Sequence, residues 1–401
     1  MSRIHEVKEE ILWGKLEKVK RETSLIGERE AAYFSPTIRK VEELFEELKK
    51  KRMAYQSLNS SVPIELMQKI YRDYLFTLRD IESIIERYFE YEWYLYEVYK
   101  YQHSNPKLAG SLRALERVCD QITREVGIEN DMMLILGSTY SIGGGFGFES
   151  QGPGRFVFVP YFERDVPPMW GLIGHEIGHA FLDKTQFTFK NFNEAMEKST
   201  AQEFLDGKTD SLRKEEQILL FKKTWNRWKE EFFSDVFALK TLGFGYVAPF
   251  IYQNVVENPY RLVYNEEAIP EHPPVFIRVQ VQLRVLKELV KTSEGEEFVD
   301  LLNDIYNTYL NLVEDRKEEN YPFLVDEKLV EGCISDCKEL PSPFKKRESS
   351  ILRSVEDIEK GKDLSSGDML EILNLIWLLK LRNPEVYKEK ESKLFETILK
   401  G

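Results

Sequence analysis

The strongest constraint on the fold is the segment 174–181, which reads Gly-His-Glu-Ile-Gly-His-Ala-Phe and contains the pattern His-Glu-x-x-His. Residues four apart lie on one face of a helix, so a helix here would point His175 and His179 in the same direction, towards one metal ion. Glu176 would stand beside them, where it can take a proton from water at the metal. The Pro-Pro pair at 167–168 suits a helix entrance. The alternative is a helix whose histidines only make hydrogen bonds in the core.

Length and composition limit the class of protein. The chain has 401 residues, of which 42% are hydrophobic, and a net charge of −13. We expect two or three structural layers from this length, and no nucleic-acid partner from a charge that no basic tract offsets. No apolar run reaches the roughly 18–20 residues that span a bilayer, and the N-terminus lacks a signal-peptide core. We therefore expect a cytoplasmic protein without membrane insertion.

Hydrophobic spacing predicts a mainly α (α+β) fold. Residues 1–127 show one helical pattern after another, the last closed by Gly127. The core region 128–290 contains the helix predicted for the His-Glu-x-x-His pattern at 175–179, which we call the metal helix. The region 291–401 is again helical. Within the core region, prolines at 249, 259 and 270 would interrupt any helix, so we expect 244–271 to be irregular.

Two short strands are expected just before the metal helix. Residues 132–136 read Met-Met-Leu-Ile-Leu, and residues 155–160 read Arg-Phe-Val-Phe-Val-Pro. The glycine-rich segment 143–154 between them suits hairpin turns or a mobile flap. The final proline of the second strand suits an edge or a strand end. As an edge strand it could pair with an extended peptide, which predicts substrate binding by Phe156, Val157 and Phe158.

A catalytic zinc site usually takes three protein ligands, so a third must come from another element. The best candidate is Glu231, which stands four residues before Asp235 on a helix that is otherwise strongly apolar. Asp235 could accept the free N–H of a ligating histidine and so fix its orientation. An acidic pair among so many apolar residues needs a positive partner, which a metal would provide. Glu230 is the rival ligand, but only Ser234 lies four residues beyond it.

These motifs together resemble the gluzincin metallopeptidases. A further segment, His272-Pro-Pro-x-x-x-Arg278, resembles an element of the type I CAAX prenyl protease and HtpX heat-shock group. The resemblance implies a zincin-like core with one Zn²⁺ per chain, with His175, His179 and Glu231 as ligands and Glu176 as general base.

The remaining motif residues receive supporting roles. The resemblance implies that Asp235 contacts a metal ligand without binding the metal itself. If Pro274 begins a helix, His272 and Arg278 lie near its positive end and could stabilise charge on a substrate carbonyl, which makes them candidate catalytic residues. The alternative is a helix entrance with a surface histidine and a structural arginine.

The resemblance covers roughly residues 130–285. Integral-membrane members of that group have transmembrane helices, which we do not expect here. We therefore expect a zinc-dependent peptidase that acts on peptides or unfolded protein segments. Two alternatives remain at this stage: a non-catalytic or regulatory binding protein on a similar scaffold, and a helical protein without a metal.

Overall fold

The computed structural model is mostly helical with one small sheet, which confirms the predicted fold class. The chain divides into two compact units. The first comprises residues 1–109, 131–135 and 141–158, and the second comprises residues 110–130, 136–140 and 159–401. The metal helix and the C-terminal helices thus share one unit, whereas the sequence had suggested boundaries at 127 and 290. The structure describes residues 3–58, 62–85, 90–130, 132–137, 141–143, 156–199, 214–257, 259, 272–313, 326–362, 364 and 368–400.

The described residues of the first unit form four helices and parts of the strands. Its core is a single apolar cluster in which Phe34 and Tyr74, both fully buried, meet Met133 and Phe156 from the strands. Burying such side chains is the main source of stability in a helical array, since each contributes about 1.5–3 kcal/mol. The helices are α1 (Arg3–Thr23), α2 (Glu28–Gln56), α3 (Ile64–Ser83) and α4 (Glu90–Ser104).

The described strands form one sheet in the order β1-β3-β2, made of β1 (Met133–Gly137), β2 (Ser141–Gly143) and β3 (Phe156–Pro160). β2 runs antiparallel to β3. Both predicted strands are therefore present, and β3 ends at its proline as expected. The predicted glycine-rich turns fall on 144–155, outside the described residues.

The prediction that β3 is an edge strand is wrong. It is the middle strand, hydrogen-bonded on both sides, and Phe156 and Val157 are fully buried while Phe158 is partly buried. A middle strand has no free backbone edge for an extended peptide. The predicted substrate-binding role of Phe156, Val157 and Phe158 thus loses its basis.

The second unit carries the predicted metal motifs. Helix α5 confirms the sequence pattern, because its apolar stripe is buried and Gly127 ends it with a positive φ of 77°. The helices are α5 (Ala109–Val126, whose first residue belongs to the first unit), α6 (Ile173–Thr185), α7 (Lys190–Lys198), α8 (Lys214–Leu242), α9 (Phe244–Ile251), α10 (Val275–Leu289), α11 (Ser293–Val313), α12 (Glu327–Asp336), α13 (Pro343–Glu359), α14 (Met369–Arg382) and α15 (Pro384–Lys400).

The expectation of an irregular segment after residue 243 is wrong at its start. Residues 244–251 form α9 with Pro249 inside it, and a π-helical turn follows over Tyr252–Val256. Proline removes the hydrogen bond to the carbonyl four residues earlier, that of Gly245. This carbonyl instead lies tightly against Gly171, where a Cβ would be only 1.6 Å from it. Glycine at position 171 is therefore what leaves room for this carbonyl.

Among the described helices, none is long and apolar enough to cross a membrane.

Candidate metal centre

The two motif histidines lie side by side on α6. A 3₁₀ helix over Pro167–Leu172 leads into α6, so the proline pair does stand at the helix entrance. The Nε2 atoms of His175 and His179 are 3.2 Å apart, and the two rings are nearly perpendicular. Ile173 and Ile177 are fully buried on the other side of the helix. Two imidazole nitrogens thus point at one position, as their spacing predicted.

Glu231, from the middle of α8, completes the group. Its Oε2 atom lies 3.2 Å from Nε2 of His175, and its Oε1 atom lies 3.3 Å from Nε2 of His179. The three residues form a set of potential metal-binding atoms within 4.8 Å of one another. Glu230, the rival in the sequence, is exposed. The structure therefore brings together the three ligands that the sequence predicted.

The spacing of these atoms suits a tetrahedral ion. Two ligand atoms that are each about 2.0–2.1 Å from a tetrahedral zinc are about 3.3–3.4 Å apart, close to the separations seen here. Oε2 of Glu231 is buried and makes no well-formed hydrogen bond among the described residues, although Nε2 of His175 lies 3.2 Å and Nη1 of Arg278 lies 3.5 Å from it. A buried carboxylate oxygen usually has a stronger partner, because its desolvation is expensive. Two nitrogens and one carboxylate are also a donor set that zinc accepts in hydrolytic sites.

Close packing of α6 on α8 brings the ligands within reach. A Cβ atom on Gly178 would lie 2.8 Å from the Cα of Ser234, and one on Gly174 would lie 2.6 Å from Leu242 and 3.3 Å from Ala238. Only glycine lets the backbone of α6 approach α8 this closely. We did not predict this role from the sequence, although glycines four apart within a helix were its visible signal.

Asp235 lies one helical turn beyond Glu231 and holds His175 from behind. It is fully buried, and its Oδ1 atom is 2.9 Å from Nδ1 of His175. A carboxylate has no proton to donate, so in neutral His175 the hydrogen is on Nδ1 and Nε2 keeps the lone pair that a metal needs. This geometry agrees with the role proposed for Asp235 from the motif.

Two further side chains hold Asp235. The Tyr246 hydroxyl of α9 donates to Oδ1 at 2.5 Å. Arg278 of α10 donates from Nη2 to Oδ1 at 2.7 Å and from Nε to Oδ2 at 2.8 Å. The Nη2 atom of Arg278 also lies 3.3 Å from Nδ1 of His175, which is a longer distance than its 2.7 Å to Asp235. The Arg278 guanidinium carbon lies over the Phe250 ring, 4.8 Å from the ring centre.

Arg278 is therefore placed differently from our prediction of a contact with a substrate oxygen. Only 9% of it is exposed, and two of its nitrogens donate to Asp235 while Nη1 lies 3.5 Å from Oε2 of Glu231. These contacts agree with the alternative that Arg278 is a structural arginine, because a guanidinium held by buried carboxylates is directed away from solvent. Tyr246 was not predicted, since it follows no motif and lies in the segment expected to be irregular.

The network shifts the pKa values of its members. Burial disfavours the charged form of His175, but the charge of Glu231 and the contact with Asp235 outweigh burial and raise the pKa of His175 to about 10. Burial likewise opposes ionisation of both carboxyl groups. The positive charges of His175 and Arg278 nonetheless hold the pKa of Glu231 and that of Asp235 well below their usual ranges. Burial and the charge of Asp235 raise the pKa of Tyr246 well above its usual value, so the phenol remains a donor.

The remaining predicted site residues are Glu176 and His272. Glu176 follows His175 in the first turn of α6 and is 9% exposed. His272 precedes α10, whose first residue is Val275 after Pro274, as predicted. The His272 side chain is 60% exposed, and its Nε2 atom is 3.8 Å from Oε1 of Glu231. An exposed imidazole at the rim of a buried metal-binding group is accessible to a ligand from solvent.

Comparison of the chain with protein-family models, with curated protein sequences and with solved structures found no match. The interpretation of this site therefore depends on its own geometry and on the short motifs that form it.

Proposed function

We propose that the chain is a zinc-dependent peptidase. The observation that supports this most is the convergence of two imidazole nitrogens and one carboxylate, from α6 and α8, on a single position. His175, His179 and Glu231 would hold one Zn²⁺. Bound there, the ion supplies Lewis acidity, which lowers the pKa of a water from about 16 towards 7 and polarises a carbonyl.

The chain's own residues would carry the proton transfers. Glu176 would accept a proton from the attacking water and pass it to the leaving amine. His272, exposed at the rim, would donate a hydrogen bond to the oxygen of the scissile carbonyl as that oxygen becomes negative. Asp235, held by Arg278, would keep His175 in the orientation that its Nε2 atom requires.

The resemblance to gluzincins supports the same assignment at the level of motifs. In this chain the His-Glu-x-x-His helix lies against the helix with Glu231 and Asp235, and the His-Pro-Pro segment leads to the Arg278 that contacts this Asp. Three separated motifs meeting around one group support a single function. We propose peptides or unfolded protein segments as substrates, because a site between helices admits an extended chain more readily than a folded domain.

The decisive experiment compares the wild type with Glu176→Gln. The variant should keep one zinc per chain by elemental analysis and should cleave a quenched-fluorescence peptide library at least about a hundredfold more slowly, a typical general-base contribution. Glu230→Gln, a change at an exposed acid next to a predicted ligand, is the control and should leave zinc content and rate unchanged.

Two results would contradict the proposal. Full activity in Glu176→Gln would remove Glu176 from the mechanism. A wild-type protein that contains stoichiometric zinc but cleaves no member of the library would instead favour a binding protein on a peptidase-like scaffold.

A further inference from the structure

We propose that Tyr246 is a positioning residue of this site, which fixes Asp235 so that Asp235 can orient His175 towards the metal. The inference depends on the proposed metal site, but it does not require that the site be hydrolytic. It adds α9, a helix that carries none of the sequence motifs, to the elements that shape the centre.

The contacts of the Tyr246 hydroxyl carry the proposal. It lies 2.5 Å from Oδ1 of Asp235, the same oxygen that lies 2.9 Å from Nδ1 of His175. It is also 3.5 Å from that nitrogen, and the rings of Tyr246 and His175 are parallel to within 6°. Tyr246 and Asp235 are both fully buried, so water does not offer a replacement donor.

The hydroxyl has a specific effect on the Asp235 carboxylate. Arg278 binds both oxygens and therefore sets the plane of the carboxylate. The hydroxyl donates to Oδ1 from another residue and a separate helix, which adds a second point of attachment. Without it, the position of the carboxylate would depend on Arg278 among these donors, and the carboxylate could shift within its plane. The His175 ring would then be held less precisely, because outer partners orient metal-binding imidazoles.

Tyr246 is itself held rigidly, which a positioning role requires. The preceding residue, Gly245, donates its backbone N–H to Oδ1 of Asn374 at 3.0 Å, and Asn374 donates from Nδ2 to the carbonyl of Leu370 at 2.7 Å. On its other side Gly245 packs directly against Gly171. The first turn of α9 is thus fixed between α14 and the 3₁₀ helix that leads into α6.

The test measures zinc affinity of the full-length chain by competition with a chromophoric chelator. Tyr246→Phe keeps the buried ring and removes only the hydroxyl. Because loss of an outer partner of a metal ligand typically costs 10–100-fold in affinity, we expect the zinc dissociation constant to rise about tenfold. The visible absorption bands of the cobalt-substituted protein should also shift, since they report ligand geometry. Tyr74→Phe, which removes the hydroxyl of a fully buried tyrosine that donates to Glu9, should change neither.

A double-mutant cycle separates positioning from a general loss of stability. If Tyr246 acts through Asp235, adding Tyr246→Phe to Asp235→Asn should not weaken zinc binding beyond Asp235→Asn alone. Additive effects would overturn the proposal. A second variant, Asn374→Ala, keeps the hydroxyl but releases Gly245. It should also weaken zinc binding, by less than Tyr246→Phe does, and it provides the test if Tyr246→Phe fails to fold.

The outcomes also distinguish this inference from the proposed function. If the wild type binds zinc tightly while Tyr246→Phe and Asn374→Ala match its affinity and cobalt spectrum, the positioning role is wrong and the metal site stands. If the wild type does not bind zinc, the metal site itself is wrong. Loss of peptidase activity alone would decide neither point, so affinity and spectrum are the readouts.

Discussion

At the scale of single residues, His175 has contacts on both of its ring nitrogens. Nδ1 faces the carboxylate of Asp235 and Nε2 faces that of Glu231. Two acidic neighbours make the ring a strong base, which is why its pKa rises to about 10 despite burial. A metal on Nε2 must therefore compete with a tightly held proton.

This competition predicts a pH dependence of zinc binding. Because His175 releases a proton when it binds the metal, zinc affinity should increase about tenfold per pH unit between about pH 7 and pH 9. Chelator competition at several pH values, corrected for protonation of the chelator, measures this slope. An affinity that stays constant over the range would show that His175 binds no competing proton.

The raised pKa of His175 also affects the stability of the metal-free protein, and there the effect of increasing pH is unfavourable. The folded-state pKa of His175 lies above the unfolded value of 6.5, so its stabilising contribution is complete below that value and is lost as the pH rises through about 10. Zinc binding and metal-free stability should therefore respond to alkaline pH in opposite directions.

The sequence predicted those residues whose role in the site allows only one or two kinds of side chain. His175, His179, Glu231 and Asp235 lie where helical spacing placed them, because the period of a helix is fixed. It did not predict Tyr246, since many residues could supply one hydrogen bond and only the folded chain selects which does. Arg278 was identified but given the wrong contact, because sequence spacing does not say which residue of another helix it will meet.

At the scale of secondary structure elements, the separation of α6 and α8 is set by backbone contact. The absence of a side chain at Gly178 lets α6 lie directly on Ser234, and Gly174 does the same one turn earlier. The distance between the histidines and Glu231 thus depends most on Gly178, which meets backbone, and less on Gly174, whose nearest neighbour is the end of the Leu242 side chain.

We expect Gly178→Ala to push the two helices apart. The new Cβ would meet the Cα of Ser234 at 2.8 Å, and overpacking of this kind costs about 1–3 kcal/mol of unfolding free energy. Zinc affinity should fall as well, because Glu231 would move away from the imidazoles. Urea unfolding and chelator competition measure the two effects.

Gly110→Ala is the matched control, because Gly110 is an exposed helical glycine with nothing within 4 Å of a new Cβ. Its unfolding free energy should stay the same or rise by up to about 1 kcal/mol, and its zinc affinity should not change. Equal losses in both variants would argue against close helix contact as the determinant of the site.

Element prediction failed where tertiary contacts override a local rule. Pro249 argued against a helix, yet α9 forms around it, with the freed Gly245 carbonyl packed against Gly171. The terminal proline of β3 suited an edge or a strand end, and the second holds, because β3 is the middle strand.

At the scale of the whole molecule, α14 supports the candidate metal centre from far along the chain. Asn374 holds the first turn of α9, and the Trp377 indole donates from Nε1 to the carbonyl of Pro168 at 2.6 Å, ahead of the metal helix. The apolar side chains Leu370 and Leu373 are buried in the same contact region. The predicted boundary at residue 290 would have separated this helix from the site.

A chain that stops at Lys362, and so lacks α14 and α15, should lose the metal site. Removing α14 exposes the apolar surface that it covers and releases Gly245, so we expect aggregation or a loosened fold that retains less than stoichiometric zinc. Size-exclusion chromatography and elemental analysis of the purified fragment test this. A monomeric fragment that binds zinc as tightly as the full chain would contradict it.

The contribution of Asn374 also bears on the order of events during synthesis. All three metal ligands emerge from the ribosome before Asn374, which follows on the order of 10 s later at translation rates of about 5–20 residues per second. Until then the first turn of α9 has no partner for the Gly245 N–H. A nascent chain would hold histidines and a glutamate without a finished centre, so stoichiometric zinc uptake is expected only after translation of α14.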